Sequence, residues 1–230
     1  GTPGAGVRRS RLRGALVVAQ IALSLTAAVS AALFVRTLRA LEEIDPGFHD
    51  PAHVLLVSTD FGFTGVRDTA NIRTAVDRLL ERTAAIPGVT AVAAATHVPM
   101  GLSGGNNVSF TVPGYVPARD EHPSAWVNYV SPSYFDVMRI PIVRGRAIAK
   151  SDPSAGPRRA IVVNESFVER YLAGRDPIGA PIAVGIDARQ NAVIVGVARN
   201  VVRGFDGIRT LAGPAAPAYY AAYSGTPDRA

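Results

Sequence analysis

The spacing of hydrophobic and polar residues changes several times along the chain. The most pronounced feature is an apolar run near the N-terminus. Residues 14–35, GALVVAQIALSLTAAVSAALFV, form a run of 22 residues without a charge. About 20 apolar residues in a helix are enough to cross the hydrocarbon core of a bilayer. The run therefore predicts a transmembrane helix. The helical pattern continues as RTLRALEEI and predicts a helical stalk over residues 36–47, which Asp45-Pro46-Gly47 ends.

The rest of the chain alternates between strand-like and helix-like patterns. Runs rich in Val, Ile and Leu predict strands over residues 53–63, 89–99, 108–113, 125–130, 160–163 and 192–201, with one more short strand in the tail. An amphipathic helix is predicted over residues 67–86, with Ile72, Val76, Leu79, Leu80 and Ala84 on one face. A short helix is predicted from about Glu165 to Leu172, with Asn164 as its N-terminal cap. The strand, helix and strand of residues 48–100 predict a βαβ or split βαβ unit.

Positive charge is concentrated at the N-terminal end of a chain with net charge +6. Arg8, Arg9, Arg11 and Arg13 precede the apolar run, and only Arg36 and Arg39 follow it closely. The positive-inside bias therefore predicts a cytoplasmic N-terminus and an extracytoplasmic location for residues 48–230. Those later residues are nearly balanced in charge and poor in aromatic residues, which argues against nucleic acid as a partner.

Two other interpretations of the apolar run are open. One is a buried helix of a soluble protein, although buried helices seldom extend so far without a charge. The other is a cleaved signal, because RRSRL resembles a twin-arginine leader and Val29-Ser30-Ala31 loosely resembles a cleavage site. The apolar core of a signal has about 7–15 residues, and this run is longer.

One pattern in the sequence resembles a catalytic motif, but the residues around it do not fit the structure that the motif requires. Gly101-Leu-Ser-Gly-Gly105 formally matches a nucleophile elbow around Ser103, but the following residues predict a turn and a strand where the elbow needs a helix. The four histidines lack metal-ligand spacing, Lys150 lacks the glycine of a phosphate-binding loop, and cysteine is absent. The prediction is a chain that is not an enzyme, with no catalytic residue, cofactor or metal.

The apolar run and the stalk each have a narrow face that suits contact with another helix. Gln20, Ser24, Ala28 and Ala32 follow one another at helical spacing, and small residues let a second membrane helix approach closely. On the stalk, Phe34, Leu38 and Leu41 fall at i, i+4 and i+7 and predict a seam for one partner helix.

Several blocks of the chain resemble one family. They are the apolar helix followed by IDPGFHDPAHVLLV, VSPSYFDVMRIPIVRGR, VVNESFVERYLAGRDPIGAPI and VIVGVARNVV. In this order they resemble the extracytoplasmic core domain of MacB-type, FtsX-like ABC transporter permeases, and most closely the large duplicated orphan permeases of the acidobacterial type. The residues that carry the match are Tyr134, Phe135, Ile140, Pro141, Gly145, Arg146, Asn164, Glu165, Asp176, Pro177, Ile178, Gly179, Gly196 and Val197.

The chain departs from the family pattern at three places. Arg139 stands where a glycine is common, His49 looks like a one-residue insertion, and Tyr219-Tyr220-Ala221-Ala222 replaces the usual Tyr-x-Pro. The resemblance makes residues 130–146 a structural corner. There a Ser-Pro-capped turn buries Tyr134, Phe135 and Met138, and Gly145 ends it.

The resemblance implies an α+β fold class. It consists of a basic cytoplasmic flank (1–13), a transmembrane helix (14–35), a stalk (36–47) and a two-lobed extracytoplasmic α/β core domain (48–230). The membrane-proximal lobe is expected over about 48–100 and the distal lobe over about 101–205, with the division near residues 101–105.

The implied function is a non-catalytic permease segment in the bacterial inner membrane. It would couple ATP hydrolysis by a cytoplasmic ATP-binding subunit to movement of the core domain, in efflux, lipoprotein release or envelope regulation. Further partners are membrane lipid, the other transmembrane helices of the same permease, and a second permease copy or a periplasmic adaptor. The alternative is a secreted or membrane-anchored binding domain with an N-terminal signal or anchor.

Overall fold

A computed structural model describes residues 4–42, 53–59, 69–98, 106–153, 159–184, 190–201 and 215–223. Within the first range, the side chains of residues 13–39 are described. The chain divides into two compact units, Gly1–Asp45 and Pro46–Ala230. The predicted lobe boundary near residues 101–105 lies outside the described residues and stays a prediction.

The described residues of the first unit form one helix, α1, which spans Gly4–Glu42 without a break. Its part from Arg13 to Arg39 is long and apolar enough to cross a membrane, and the apolar side chains are exposed all round the helix. The helix also includes the basic flank, because arginine forms helix nearly as readily as leucine. The predicted stop at Asp45-Pro46-Gly47 lies outside the described residues.

The described residues of the second unit form three helices and seven strands. The helices are α2 (Thr69–Ala84), α3 (Tyr134–Val137) and α4 (Glu165–Tyr171). The strands are β1 (Asn107–Thr111), β2 (Ser124–Val130), β3 (Ile142–Gly145), β4 (Arg159–Asn164), β5 (Pro181–Val184), β6 (Gln190–Ala198) and β7 (Ala218–Ala222). The mixed α/β fold predicted from the resemblance is confirmed.

Six of the strands close into a ring. The sheet order is β3-β6-β4-β7-β2-β1-β5, and β5 pairs again with β6. The β2–β7 and β4–β6 pairs are parallel, and the other pairs are antiparallel. Strand β4, helix α4 and strand β6 form a crossover unit in which two parallel strands are joined through a helix. Strand β3 lies outside the ring, beside the C-terminal half of β6.

The two faces of these strands bury two separate apolar clusters. Successive side chains of a strand point to opposite faces. In β7, Tyr219 belongs to the first cluster and Tyr220 to the second. Helix α4 adds Phe167 and Tyr171 to the first cluster, and the corner around α3 adds Phe135 to the second. Both faces of the sheet are therefore covered.

Two predicted strands are not part of the sheet. Of residues 53–63 and 89–99, the described ones form a single isolated bridge, Ala95 to Val130. Leu55, Leu56 and Val57 are exposed by 88%, 56% and 75%. These residues have strand-like composition, but in the described part of the chain β2 already has β1 and β7 as ladder partners. Strands β3 and β5, by contrast, were not predicted.

Candidate functional site

The corner of residues 131–146 closes the second apolar cluster. Tyr134, Phe135 and Met138 are buried, as the sequence predicts. The rings of Phe135 and Tyr220 meet edge to face at 5.0 Å between centroids. Burial raises the pKa of the Tyr134 hydroxyl well above its ordinary value. The corner is thus a buried apolar turn, and Tyr134 stays neutral at physiological pH.

The serines of this corner do not cap α3, contrary to the predicted Ser-Pro cap. Ser133 makes no side-chain bond to the helix and donates instead to the carbonyl oxygen of Val92 at 2.6 Å. The Ser131 hydroxyl accepts from the backbone N–H of Ala94 at 2.9 Å. Both serines therefore hold residues 92–94, which lie far away in the sequence, against the corner.

Asn128 of β2 holds the same segment and was missed by the sequence analysis. Its amide nitrogen donates to the carbonyl oxygen of His97 at 2.8 Å, and its side-chain oxygen accepts from the N–H of His97 at 3.0 Å. The side chain, fully buried, thus replaces a backbone partner for His97. Its oxygen also accepts from the Thr96 hydroxyl at 3.1 Å. The available signal was Asn128 itself, the one amide side chain within the otherwise apolar stretch AWVNYV.

His97 lies beside the indole of Trp126, with 5.3 Å between the ring centroids. Its Nδ1 is buried without a hydrogen-bond partner, and burial lowers the pKa of the imidazole. Burial therefore favours the neutral ring, which packs on the tryptophan. Among the described residues, no group of three or more His, Asp or Glu could hold a metal ion.

Gly145 and Arg146 fix the end of β3 against β6. Gly145 has φ of +69°, and a Cβ there would collide with the carbonyl oxygen of Val195 and lie 2.7 Å from Ile178 Cδ1. A Cβ on Gly196 would likewise collide with the carbonyl of Arg146. Only glycine permits this close approach of two backbones.

The Arg146 guanidinium makes a two-bond ion pair with Asp152. The distances are 2.6 Å from Nη1 to Oδ2 and 2.8 Å from Nη2 to Oδ1. Asp152 also accepts from the N–H of Ala149 at 2.8 Å. The hydrogen bonds from Arg146 lower the pKa of Asp152, and the aspartate raises that of the arginine. The pair holds the loop after β3 in place.

Asn164 caps α4, as the sequence predicts. Its side-chain oxygen accepts from the N–H of Phe167 at 3.0 Å and from the N–H of Ala218 at 2.9 Å, and its amide donates to Ala216 at 3.0 Å. Beside it, Glu165 accepts from the N–H of Asn200 at 2.9 Å. These two residues join the start of α4 to the ends of β6 and β7.

The turn of residues 176–179 is another motif segment that is held against the sheet. Asp176 accepts from the N–H of Ile178 at 3.1 Å and pairs with Arg144 at 3.2 Å on the exposed surface. Pro177 is fully buried, and Gly179, with φ of +82°, donates its N–H to Ile194 at 2.8 Å. Pro141 accepts from the N–H of Arg199 at 2.9 Å. The motif residues therefore hold turns and helices onto the sheet; they are not gathered at one point.

The stalk seam is described only in part. Phe34 and Leu38 lie on α1 with 65% and 44% of their surface exposed. Leu41 lies on the same helix, and its side chain is outside the described residues. Residues 101–105, with Ser103, are also outside the described part of the chain.

Comparison with known proteins finds one family. The family model of the MacB-like periplasmic core domain matches residues 15–225. The extracellular domain of the noncanonic ABC-type transporter YknZ from Gram-positive bacteria is similar at 15% identity, with a TM-score of 0.42 and coverage of 64% of this chain and 62% of that one. The periplasmic region of MacB from Actinobacillus actinomycetemcomitans is also similar at 15% identity, with a TM-score of 0.40 and coverage of 61% and 60%. The chain thus spans less than two thirds of either solved structure, and no curated protein matches it.

Proposed function

We propose a function from one premise: the chain belongs to the family of MacB-like periplasmic core domains. It is the core-domain segment of an ABC transporter permease and is itself non-catalytic. It couples ATP hydrolysis by a cytoplasmic ATP-binding subunit to movement of the extracytoplasmic domain, in efflux, lipoprotein release or envelope regulation. The observation that carries this proposal is the extent of the match, which takes in the apolar helix and the domain together.

The proposed location is the bacterial inner membrane, with the N-terminus in the cytoplasm and residues 48–230 outside. The four arginines before the apolar run and the two after it support this orientation. Alkaline phosphatase fused after Ala230 should be active, and a fusion that fluoresces only in the cytoplasm would contradict the orientation. Alkaline carbonate should leave the chain in the membrane. Release of a chain that begins near Ala31 would favour the secreted binding domain instead.

The motif residues have a structural role in this proposal. Tyr134, Phe135, Pro141, Gly145, Arg146, Asn164, Glu165, Asp176, Pro177 and Gly179 close turns or join helices to the sheet. In this proposal the contacts keep the domain stiff, so that it is displaced as a body. Other transmembrane helices of the same permease, and a second permease copy or a periplasmic adaptor, are its proposed neighbours. The acidobacterial-type relationship stays a prediction.

The stalk is the proposed coupling element. Helix α1 continues past the apolar run as far as Glu42 without a break. A continuous helix resists bending, so a shift of the membrane helices would reach its outer end. The seam of Phe34, Leu38 and Leu41 would keep the stalk in contact with one partner helix.

Insertion of two glycines between Arg39 and Ala40, in the full-length permease with its ATPase, tests this coupling. Each glycine costs about 1 kcal/mol of local helix stability. The insertion also turns the seam by about 200°, at 3.6 residues per turn. We expect transport-coupled ATPase activity to be lost while expression and folding stay normal. A well-expressed insertion variant with normal activity would show that the stalk is only a tether.

Alanine insertions at the same place separate stiffness from register. Two alanines keep the helix but turn the seam by about 200°, whereas four alanines turn it by about 400° and return it to within about 40°. If the seam contact matters, two alanines abolish coupling and four largely restore it. If stiffness alone matters, both alanine variants stay active and only the glycine variant fails.

A further inference from the structure

The two ends of the apolar part of α1 differ in charge. Four arginines lie within six residues at its N-terminal end: Arg8, Arg9, Arg11 and Arg13. At the other end, Arg36 and Arg39 are followed by Glu42 and Glu43, so the charges there cancel. The apolar side chains between the two ends are exposed all round the helix, as a lipid-facing span requires.

The continuous helix α1 determines where the four arginine positions lie relative to the apolar span. Because α1 begins at Gly4, all four belong to the same helix as the apolar span. From Arg8 to Arg13 the helix rises about 7.5 Å, at 1.5 Å per residue. The polar layer on each side of a bilayer is about 5–7.5 Å thick, taking a total of 40–45 Å and a core of 30 Å. The four positions therefore span about the thickness of one headgroup layer.

The four positions also spread over about 200° of the helix circumference. With Arg8 at 0°, the helical period places Arg9, Arg13 and Arg11 at about 100°, 140° and 300°. No single partner helix could cover positions spread so widely, whereas lipid headgroups approach from every side. Arginine is suited to this contact because its planar guanidinium donates two parallel hydrogen bonds to a phosphate.

From this arrangement we infer that the four arginines form a collar that selects acidic phospholipids in the leaflet next to the N-terminus. The recognised group is a phosphodiester headgroup with net negative charge, such as that of phosphatidylglycerol. The inference rests on the membrane location proposed above and is independent of any coupling to an ATPase. No such enrichment is expected at the other end of the span, where the charges cancel.

A tryptophan reporter near each end measures the inference directly. Val17→Trp lies one turn inside Arg13, and Leu33→Trp lies one turn before Arg36; both positions are exposed on the helix. Each reporter chain is reconstituted into vesicles of phosphatidylglycerol and phosphatidylcholine, with bromine on the acyl chains of one lipid at a time. The same lipid mixture in both leaflets makes the orientation of the chain irrelevant. The signal of Trp126 is subtracted with the unsubstituted chain.

At the Val17→Trp reporter we expect brominated phosphatidylglycerol to quench about fivefold more effectively than brominated phosphatidylcholine, the factor for one arginine near an anionic surface. At Leu33→Trp the two lipids should quench equally. Substituting the four collar residues (Arg8→Gln, Arg9→Gln, Arg11→Gln, Arg13→Gln) should reduce the ratio at the first reporter to about one. The matched control, Arg36→Gln with Arg39→Gln, should leave it unchanged.

The possible results are distinguishable. Equal quenching at Val17→Trp in the otherwise unchanged chain overturns the collar, as does a ratio that survives the fourfold substitution. Inorganic phosphate added at constant ionic strength should not change the ratio, and a collapse under phosphate would assign the arginines to a soluble anion. Absence of quenching by either lipid would show that the helix is not in the bilayer. That result would also contradict the proposed membrane location of the chain.

Discussion

The ring of strands and the segment of residues 53–98 hold their apolar residues in different ways. In the ring, Ile161 and Val162 point to opposite faces of β4, and both are fully buried. In the segment, Leu55 and Val57 are mostly exposed. The ring is joined by backbone ladders, whereas residues 92–97 are tied by one bridge to β2, by the side chain of Asn128, and by Ser131 and Ser133 in the corner that follows β2. Among the described residues, the extended apolar stretches that are buried on both faces are those with a neighbouring strand on each side.

The largest effect is expected for Gly145→Ala, where β3 lies against strand β6 of the ring. The added Cβ would collide with the Val195 carbonyl, and the positive φ adds strain, so we expect a loss of about 4 kcal/mol in the free energy of unfolding. Gly174 is the matched control, because its φ is +76° but nothing lies within 4 Å of a Cβ. Gly174→Ala should cost about 1 kcal/mol. Urea unfolding followed by the fluorescence of Trp126 measures both, and equal losses would show that the close approach does not matter.

Asn128→Ala tests how the segment is held. The substitution leaves the N–H and carbonyl of His97 without their partners, and we expect a loss of about 3 kcal/mol. Limited proteolysis should then cut within residues 89–98 while the strands stay protected. Thr96→Val removes a hydroxyl that donates to Asn128 and accepts from the N–H of Tyr129, and should cost about 2 kcal/mol while leaving both partners of His97 in place. A proteolysis pattern unchanged by Asn128→Ala would mean that packing alone retains the segment.

Asp152→Asn tests a side-chain tie outside the ladders of the ring. Arg146 is half exposed, so the loss at neutral pH should be only about 1 kcal/mol. The pKa of Asp152 is lowered in the folded state, so its stabilisation is present above the unfolded pKa of about 4 and is lost as the pH falls through the lower folded value. Unfolding curves of the two proteins should therefore differ at pH 7 and converge in acid. A constant difference across that range would contradict the ion pair.

The smallest effect is expected at the exposed end of the segment. Leu55→Ser removes an apolar side chain that is 88% exposed, so stability should change by less than about 0.5 kcal/mol. Its neighbour Val54 packs against the second cluster, and Val54→Ser should cost about 1 kcal/mol. Thermal unfolding of the two variants compares the inner and outer positions. A large loss for Leu55→Ser would show that this side chain is covered in the folded protein.

The elements that the sequence predicted are those whose signal is local. The helix at residues 165–171 carried its own cap in Asn164, and strand β4 is a short apolar run ended by that same residue. The family pattern also pointed to Arg139, which occupies a place where glycine is common. Its φ of +48° lies in the left-handed region that favours glycine, which explains the preference.

What the sequence could not supply is the choice of partners. Residues 89–99 look as strand-like as 192–201, and only the three-dimensional arrangement decides that the second enters the ring and the first does not. The pairing of β5 with β1 is equally non-local, because Val184 lies opposite Phe110. Strand β5 itself has just four residues and one exposed proline, too short a pattern to be recognised. The role of Asn128 depends on a segment about 30 residues earlier, at Thr96 and His97.

Closure of the ring also has a mechanical meaning. A strand at an open edge can be peeled away one hydrogen bond after another, but each of the six ring strands is bonded on both sides. A pull along β4 therefore loads its ladders to β6 and β7 together, in shear, and many bonds must give way at once. The ring should therefore resist deformation as a whole. Under load, β3 and the segment tied to β2 should move first.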